Sequence, residues 1–219
     1  MRTGNVGENV ILVYLVVCFF VFLAGFVDSI AGGGGLISLP AYMIAGLPVH
    51  TAIATNKMSS SMGTFVASFH YMKKGFMKWK ICIPAVLGAI AGSWIGSHLA
   101  LLISEKALKI AMLVVLPVIL FYVLRSKALK GKDENATEVI NGMLIFKSIL
   151  IAAVVGIYDG IYGPGTGTFL MLLFTGFCHM TLNDAAGATK AINLTTNITA
   201  LVVFLINGKV LLPLGIAAG

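Results

Sequence analysis

Gly25-Phe26-Val27-Asp28-Ser29-Ile30-Ala31-Gly32-Gly33-Gly34-Gly35-Leu36 and Gly156-Ile157-Tyr158-Asp159-Gly160-Ile161-Tyr162-Gly163-Pro164-Gly165-Thr166-Gly167 are two versions of one pattern. In each, an apolar run long enough to cross a bilayer takes on a single aspartate and then dissolves into glycine. A carboxylate and a helix-breaking glycine string are both costly in hydrocarbon, so finding them together twice marks positions that answer to more than spanning. Four consecutive glycines are not there for helix propensity, since each costs about 1 kcal/mol relative to alanine. They permit unwound backbone, whose N–H groups together with the start of the next helix form a cradle for an anion. Pro164 fits the same break by removing a donor and fixing a turn.

Working outward, the rest of the 219-residue chain has the composition of a polytopic membrane protein: 58% hydrophobic, 11% charged, mean hydropathy +0.99. Soluble domains carry about 25% charged residues. At about 20 apolar residues per crossing, spans are predicted over 10–27, 51–72, 81–102, 107–124, 143–158 and 185–206, with a further apolar run from Val210. The segments 36–46 and 169–178 are each about half a bilayer long and read as broken spans or re-entrant hairpins. Residues 125–141 form a polar loop holding three of the eight acidic side chains. The expected organisation is a first transmembrane module (1–124), a polar cytoplasmic linker (125–142) and a second module (143–219). The second module lacks counterparts of 81–102 and 107–124, so the chain reads as missing one or two helices at its C-terminal end.

The duplication extends past the breaks. A shift of 131 superposes Gly25, Asp28 and Gly32 on Gly156, Asp159 and Gly163; a shift of 134 brings Thr55 to Thr189, and one of 133 brings Gly75 to Gly208. An ordered recurrence of this kind marks a duplicated unit. Loop charge orients the two copies. Lys73, Lys74, Lys78 and Lys80 follow the first unit's polar helix, whereas the equivalent turn of the second has Lys209. Arg2 leads into the first unit, while Arg125, Lys127, Lys130, Lys132 and Lys147 lead into the second. Equivalent loops with opposite basic content lie on opposite sides of a membrane, which favours inverted repeats with an outside N-terminus; parallel repeats with re-entrant half-helices are the alternative. The net charge of +7 therefore reports orientation and not nucleic-acid binding.

Within each unit a lysine stands beside a threonine on a polar helix: Lys57 with Asn56, Ser59, Ser60, Ser61 and Thr64, and Lys190 with Asn193, Thr195, Thr196, Asn197 and Thr199. A membrane carboxylate ordinarily pairs with a base or faces water, so these lysines are the candidate partners of Asp28 and Asp159. One reading is an anion site in which the lysines attract and the aspartates tune or protonate. The other is a structural lock, or a cap on the following half-helix. Gly88, Gly92 and Gly96, by contrast, read as tight helix packing. Cys18, Cys82 and Cys178 sit singly in apolar runs and read as packing residues. The four histidines stand in unrelated contexts, and no zinc, hydrolase or P-loop motif occurs. Neither an enzyme nor a bound cofactor is expected.

The stretch 25–36, then Pro40 and Ala54-Thr55-Asn56-Lys57, echoed by 156–167 and Ala188-Thr189-Lys190-Ala191-Ile192-Asn193, resembles the sulfite exporter TauE/SafE family over essentially the whole chain. The resemblance implies an all-α, multi-pass secondary transporter of duplicated modules in the cell (inner) membrane. It also implies export or permeation of sulfite, sulfonates or related sulfur anions. A coupling proton or sodium ion would be its partner, besides the lipid and the small anionic substrate. The second module departs from the plain glycine run with Gly163-Pro164-Gly165-Thr166-Gly167. Candidate substrate-binding residues are Asp28, Ser29, Gly32, Gly33, Gly34, Gly35, Asn56, Lys57, Asp159, Gly163, Gly165, Thr166, Gly167, Lys190 and Asn193. A membrane scaffold without transport, or an anion channel, are the rival expectations.

Overall fold

A computed structural model describes residues 4–31, 33–125 and 140–219. Gly32, the Ser29 side chain and most of the polar linker lie outside the described residues. The chain is helical throughout what is described: α1 (Gly4–Ala31), α2 (Gly35–Ile44), α3 (Val49–Lys73), α4 (Trp79–Leu102), α5 (Glu105–Arg125), α6 (Gly142–Ile161), α7 (Thr166–Gly176), α8 (Leu182–Ile206) and α9 (Leu212–Ala218). Stretches within α1, α4, α6 and α8 are long and apolar enough to cross a membrane, and α2 and α7 are the two short apolar helices beside the breaks. The expected spans match these helices within a few residues. The largest difference is at the start of α1, which begins at Gly4 and not near Val10; α1 and α6 also continue through their aspartates, so Asp28 and Asp159 lie in the last helical turns.

The polarity of the bundle is that of a membrane protein. Phe22, Leu87, Leu113, Phe146 and Ile206 stand exposed, while Lys57, Ser93, Ser148, Asp159, Lys190 and Thr196 are buried. Helix ends are closed locally. Asn141 accepts the Leu144 N–H at 2.8 Å and Thr181 that of Asp184 at 3.2 Å, side-chain caps worth about 1 kcal/mol each. Gly75 and Gly208, the turn residues that the internal shift superposes, both have left-handed φ, +76° and +63°.

The two halves of the chain meet along two seams. In the first, α4 and α6 run in the same direction, with Gly88, Gly92 and Gly96 meeting the main-chain carbonyls of Ile149, Ala153 and Ile157 in turn. On the other side, a methyl group on Gly156 would come within 3.0 Å of the Ala89 carbonyl, and one on Gly160 within 2.5 Å of that of Ser93. This close approach of backbones is what small residues provide where lipid offers no hydrophobic drive, as expected for Gly88, Gly92 and Gly96. In the second seam α3 and α8 run antiparallel: Lys57 reaches Asn197, and eleven residues further along α3 the Ser68 hydroxyl donates to the Lys190 carbonyl at 2.9 Å. Helix α8 runs with α4, since Gly187 packs on Phe76 and Ser93 donates to the Thr196 carbonyl at 2.8 Å.

Candidate functional site

The two aspartates and two lysines find one another across the modules. Lys57 of α3 donates to Asp159 Oδ2 of α6 at 2.7 Å, and Lys190 of α8 donates to Asp28 Oδ2 of α1 at 2.7 Å. Each half of the chain thus supplies the counter-ion of the other. A shift of 133 maps Lys57 onto Lys190, one position off the threonine alignment, so Thr189 corresponds to Asn56. The two threonines differ in setting: Thr55 Oγ1 accepts the Leu211 N–H at 3.0 Å, whereas buried Thr189 Oγ1 has no partner among the described residues.

Each aspartate also reaches the break that follows it. The Gly34 N–H donates to Asp28 Oδ1 at 3.3 Å, and the Thr166 hydroxyl to Asp159 Oδ1 at 2.7 Å. The Asp–Lys pairs are formed at both places, whereas a backbone N–H is held only at Asp28. The breaks themselves are short and tightly packed. A methyl group on Gly34 would lie 2.6 Å from the Ala24 carbonyl, and one on Gly35 would lie 3.1 Å from the Pro164 Cα. Gly163 has φ +95°, and a methyl group there would lie 2.9 Å from Lys57 Nζ; only glycine lets that ammonium dock. Gly33 and Thr168 stand near each other, so the two half-helices begin side by side.

One cavity of about 910 Å³ opens onto this arrangement. It is lined by Asp28, Gly34, Gly35, Asn56, Lys57, Asp159, Gly163, Gly165, Thr166, Gly167, Lys190 and Asn193. Of the remaining candidates, Gly33 is buried at the junction beneath it and Gly32 and the Ser29 side chain lie outside the described residues. The pairs differ in their access to it. Lys57 and Asp159 have side chains 2% and 5% exposed, whereas Asp28 keeps 28% against 7% for Lys190. Two amides complete the lining: Asn56 and Asn193 are 7% and 6% exposed, and their Oδ1 atoms have no hydrogen-bond partner among the described residues. A buried carboxamide oxygen left without a donor costs free energy that water or a donor-bearing ligand recovers, while the amide NH2 groups are the donors open to an oxyanion.

Asn197, Ser59, Thr64, His70 and Cys18 also line the cavity, though none was among the candidates. Asn197 accepts a hydrogen bond from Lys57 at 3.1 Å. Its signal was helical spacing: seven residues beyond Lys190, it shares that lysine's face of α8.

Residues 17–219 match the family model described as sulfite exporter TauE/SafE. The chain is 34% identical over 198 residues to the probable membrane transporter protein ORF9 of a Sinorhizobium species, covering 90% of this chain and 74% of that one. It is 33% identical over 217 residues to the probable membrane transporter protein YfcA of Escherichia coli K12, covering 98% and 79%. A Haemophilus influenzae probable membrane transporter protein is 32% identical over 198 residues, covering 89% and 74%. No solved structure matches. The chain belongs to the sulfite exporter TauE/SafE family of membrane transporters.

Proposed function

We propose that this protein is a secondary transporter of small sulfur oxyanions, sulfite and short sulfonates among them, acting in the cell (inner) membrane. Its translocation site is the cavity between the two broken segments. The observation that carries the reading is that a single cavity collects both cross-module ion pairs, both glycine breaks and two unsatisfied amides. Intramembrane charges mark substrate or ion pathways, and interrupted helices at matching positions of two repeats mark the transporter site. The lysines supply charge and the amides supply neutral donors that release an oxyanion as readily as they hold it. Val21, Phe22 and Val66 line the same space and suit the carbon tail of a sulfonate.

Inverted modules accord with the packing. Helices α3 and α8, equivalent under the internal shift, run antiparallel, as a pseudo-two-fold axis in the membrane plane requires. The cross-paired charges are the other mark of such an axis, because it exchanges Asp28–Lys190 with Asp159–Lys57.

The test is anion flux into proteoliposomes, preceded by a thermal-shift screen of sulfite, sulfate, thiosulfate, sulfoacetate and simple carboxylates. Selective stabilisation by a sulfur oxyanion and saturable flux of the same anion are expected. Lys57→Ala and Lys190→Ala are expected to abolish the flux. Undiminished flux in both variants overturns the site, and the absence of any anion flux overturns the transport reading.

A further inference from the structure

We propose that Asp28 is the coupling group of the transporter, taking up one proton for each monoanion bound, so that the loaded and the empty site are both electrically neutral. This rests on the transport reading above and adds the coupling ion, the residue that carries it and the stoichiometry.

Lys57, Lys190, Asp28 and Asp159 line the cavity and sum to zero. An anion entering alone leaves an uncompensated charge in a low-dielectric chamber, and both lysines are already held at 2.7 Å by carboxylates. One carboxylate has to give way. Asp159 is sealed: its Oδ1 holds Thr166, its Oδ2 holds Lys57, and that lysine is also fastened by Asn197. Asp28 keeps surface on the cavity and, among the described residues, its Oδ1 has the long contact from Gly34.

The groups facing Asp28 are few. Helix α8 presents Lys190, α2 the Gly34 amide, α3 Lys57, His70 and Tyr71 across the cavity, and α6 Asp159 in its own ion pair; α1 adds Cys18. Helices α7 and α9 line the cavity with no titratable side chain.

Protonation of Asp28 has a specific consequence. Lys190 Nζ also donates to the Asp28 main-chain carbonyl at 3.2 Å, near the negative end of the α1 dipole. That contact does not depend on the carboxylate. A proton from cavity water forms an O–H bond on Asp28, its ion pair with Lys190 is released, and the ammonium stays at the wall with its charge free for the anion. Asn193, one turn along the same helix, is placed to donate beside it. A sodium ion is the poorer co-ligand because Lys190 occupies both oxygens, Oδ2 and the main-chain carbonyl, on which a metal cation would sit.

The experiment uses proteoliposomes, methanesulfonate as a permanently ionised monoanion, an internal pH dye and a potassium–valinomycin voltage clamp. One proton is expected to move with each methanesulfonate. The accumulation ratio should then change about tenfold per pH unit and not at all with voltage or with sodium replaced by choline. In Asp28→Asn the pH response is expected to vanish. Methanesulfonate flux without proton movement, with a ratio that shifts about 50-fold per 100 mV, overturns the coupling while leaving transport intact. Sodium-dependent flux does the same, as does full proton coupling in Asp28→Asn. No flux of methanesulfonate, sulfite or thiosulfate at any pH or sodium concentration overturns both readings. Where Asp28→Asn fails to fold, the wild-type stoichiometry decides the coupling and Asp159→Asn decides the residue: it is expected to keep one proton per anion, and loss of coupling there overturns the assignment to Asp28.

Discussion

Replacing Lys57 with methionine removes one partner of an ion pair whose side chains are 2% and 5% exposed. Asp159 then keeps the Thr166 hydroxyl on Oδ1, while Oδ2 loses the Lys57 ammonium that holds it. Breaking a buried pair from one side typically costs about 3–5 kcal/mol. At roughly 2–4 °C per kcal/mol for a chain of this size, Lys57→Met should lower Tm by about 6–20 °C. Lys190→Met exposes a different situation, because Asp28 is 28% accessible and cavity water solvates it once alone. Its loss should approach the roughly 1 kcal/mol of an accessible pair, or about 2–4 °C. Adding Asp159→Asn to Lys57→Met removes the stranded charge without changing shape and should restore most of the lost stability. Tryptophan fluorescence during heating, in detergent and in lipid nanodiscs, reads all three. Equal losses in the two lysine variants, or a double variant no more stable than Lys57→Met, would refute the sealed-versus-open distinction.

Gly92→Ala drives a methyl group into the Ala153 carbonyl on the α4–α6 seam and should cost about 1–3 kcal/mol. Gly63→Ala meets nothing within 4 Å and should gain up to about 1 kcal/mol of helix propensity; the two Tm values check this directly. Cys18 is half-buried on the cavity, whereas Cys82 and Cys178 are buried. A charged methanethiosulfonate is therefore expected to label Cys18 alone by mass spectrometry, more slowly in the presence of a bound sulfur oxyanion. For topology, cysteines introduced at Gly4 and Gly208 should react with an impermeant maleimide from outside intact cells, and one at Gly75 only after permeabilisation; labelling of Gly75 and Gly208 on the same side contradicts inverted modules.

Much of the fold was legible because membrane spans are written in runs of composition, and α4 and α8 end within a residue or so of where hydropathy fades. The aspartates were legible for the opposite reason: charge in a long apolar run has no bland explanation. Which lysine each would choose was not legible. An internal alignment relates equivalent residues, whereas Asp28 meets Lys190 and Asp159 meets Lys57 through packing between modules. The sequence reads the glycines as giving unwound backbone, and Gly163 and Gly165 do so with left-handed φ. Gly34 and Gly163 also serve close approach, of α1 to α2 and of Lys57 to the second break, a role that depends on neighbours the sequence does not place adjacent. Asn197 was noticed as one amide among several, and only its contact with Lys57 separates it from the hydroxyls nearby.

The cross-module pairing sets an order on the making of the protein. Asp28 precedes Lys190 by 162 residues and Lys57 precedes Asp159 by 102, so each first partner leaves the ribosome well before its mate. At about 5–20 residues per second, Asp28 waits roughly 8–32 s for its counter-ion. Until Asp159 emerges, the first half of the chain carries both an unmatched acid and an unmatched base, and Asp28 stays unmatched until Lys190 follows. The second half therefore completes the first, and a chain stopped before α8 would present the membrane quality-control machinery with an unmatched Asp28.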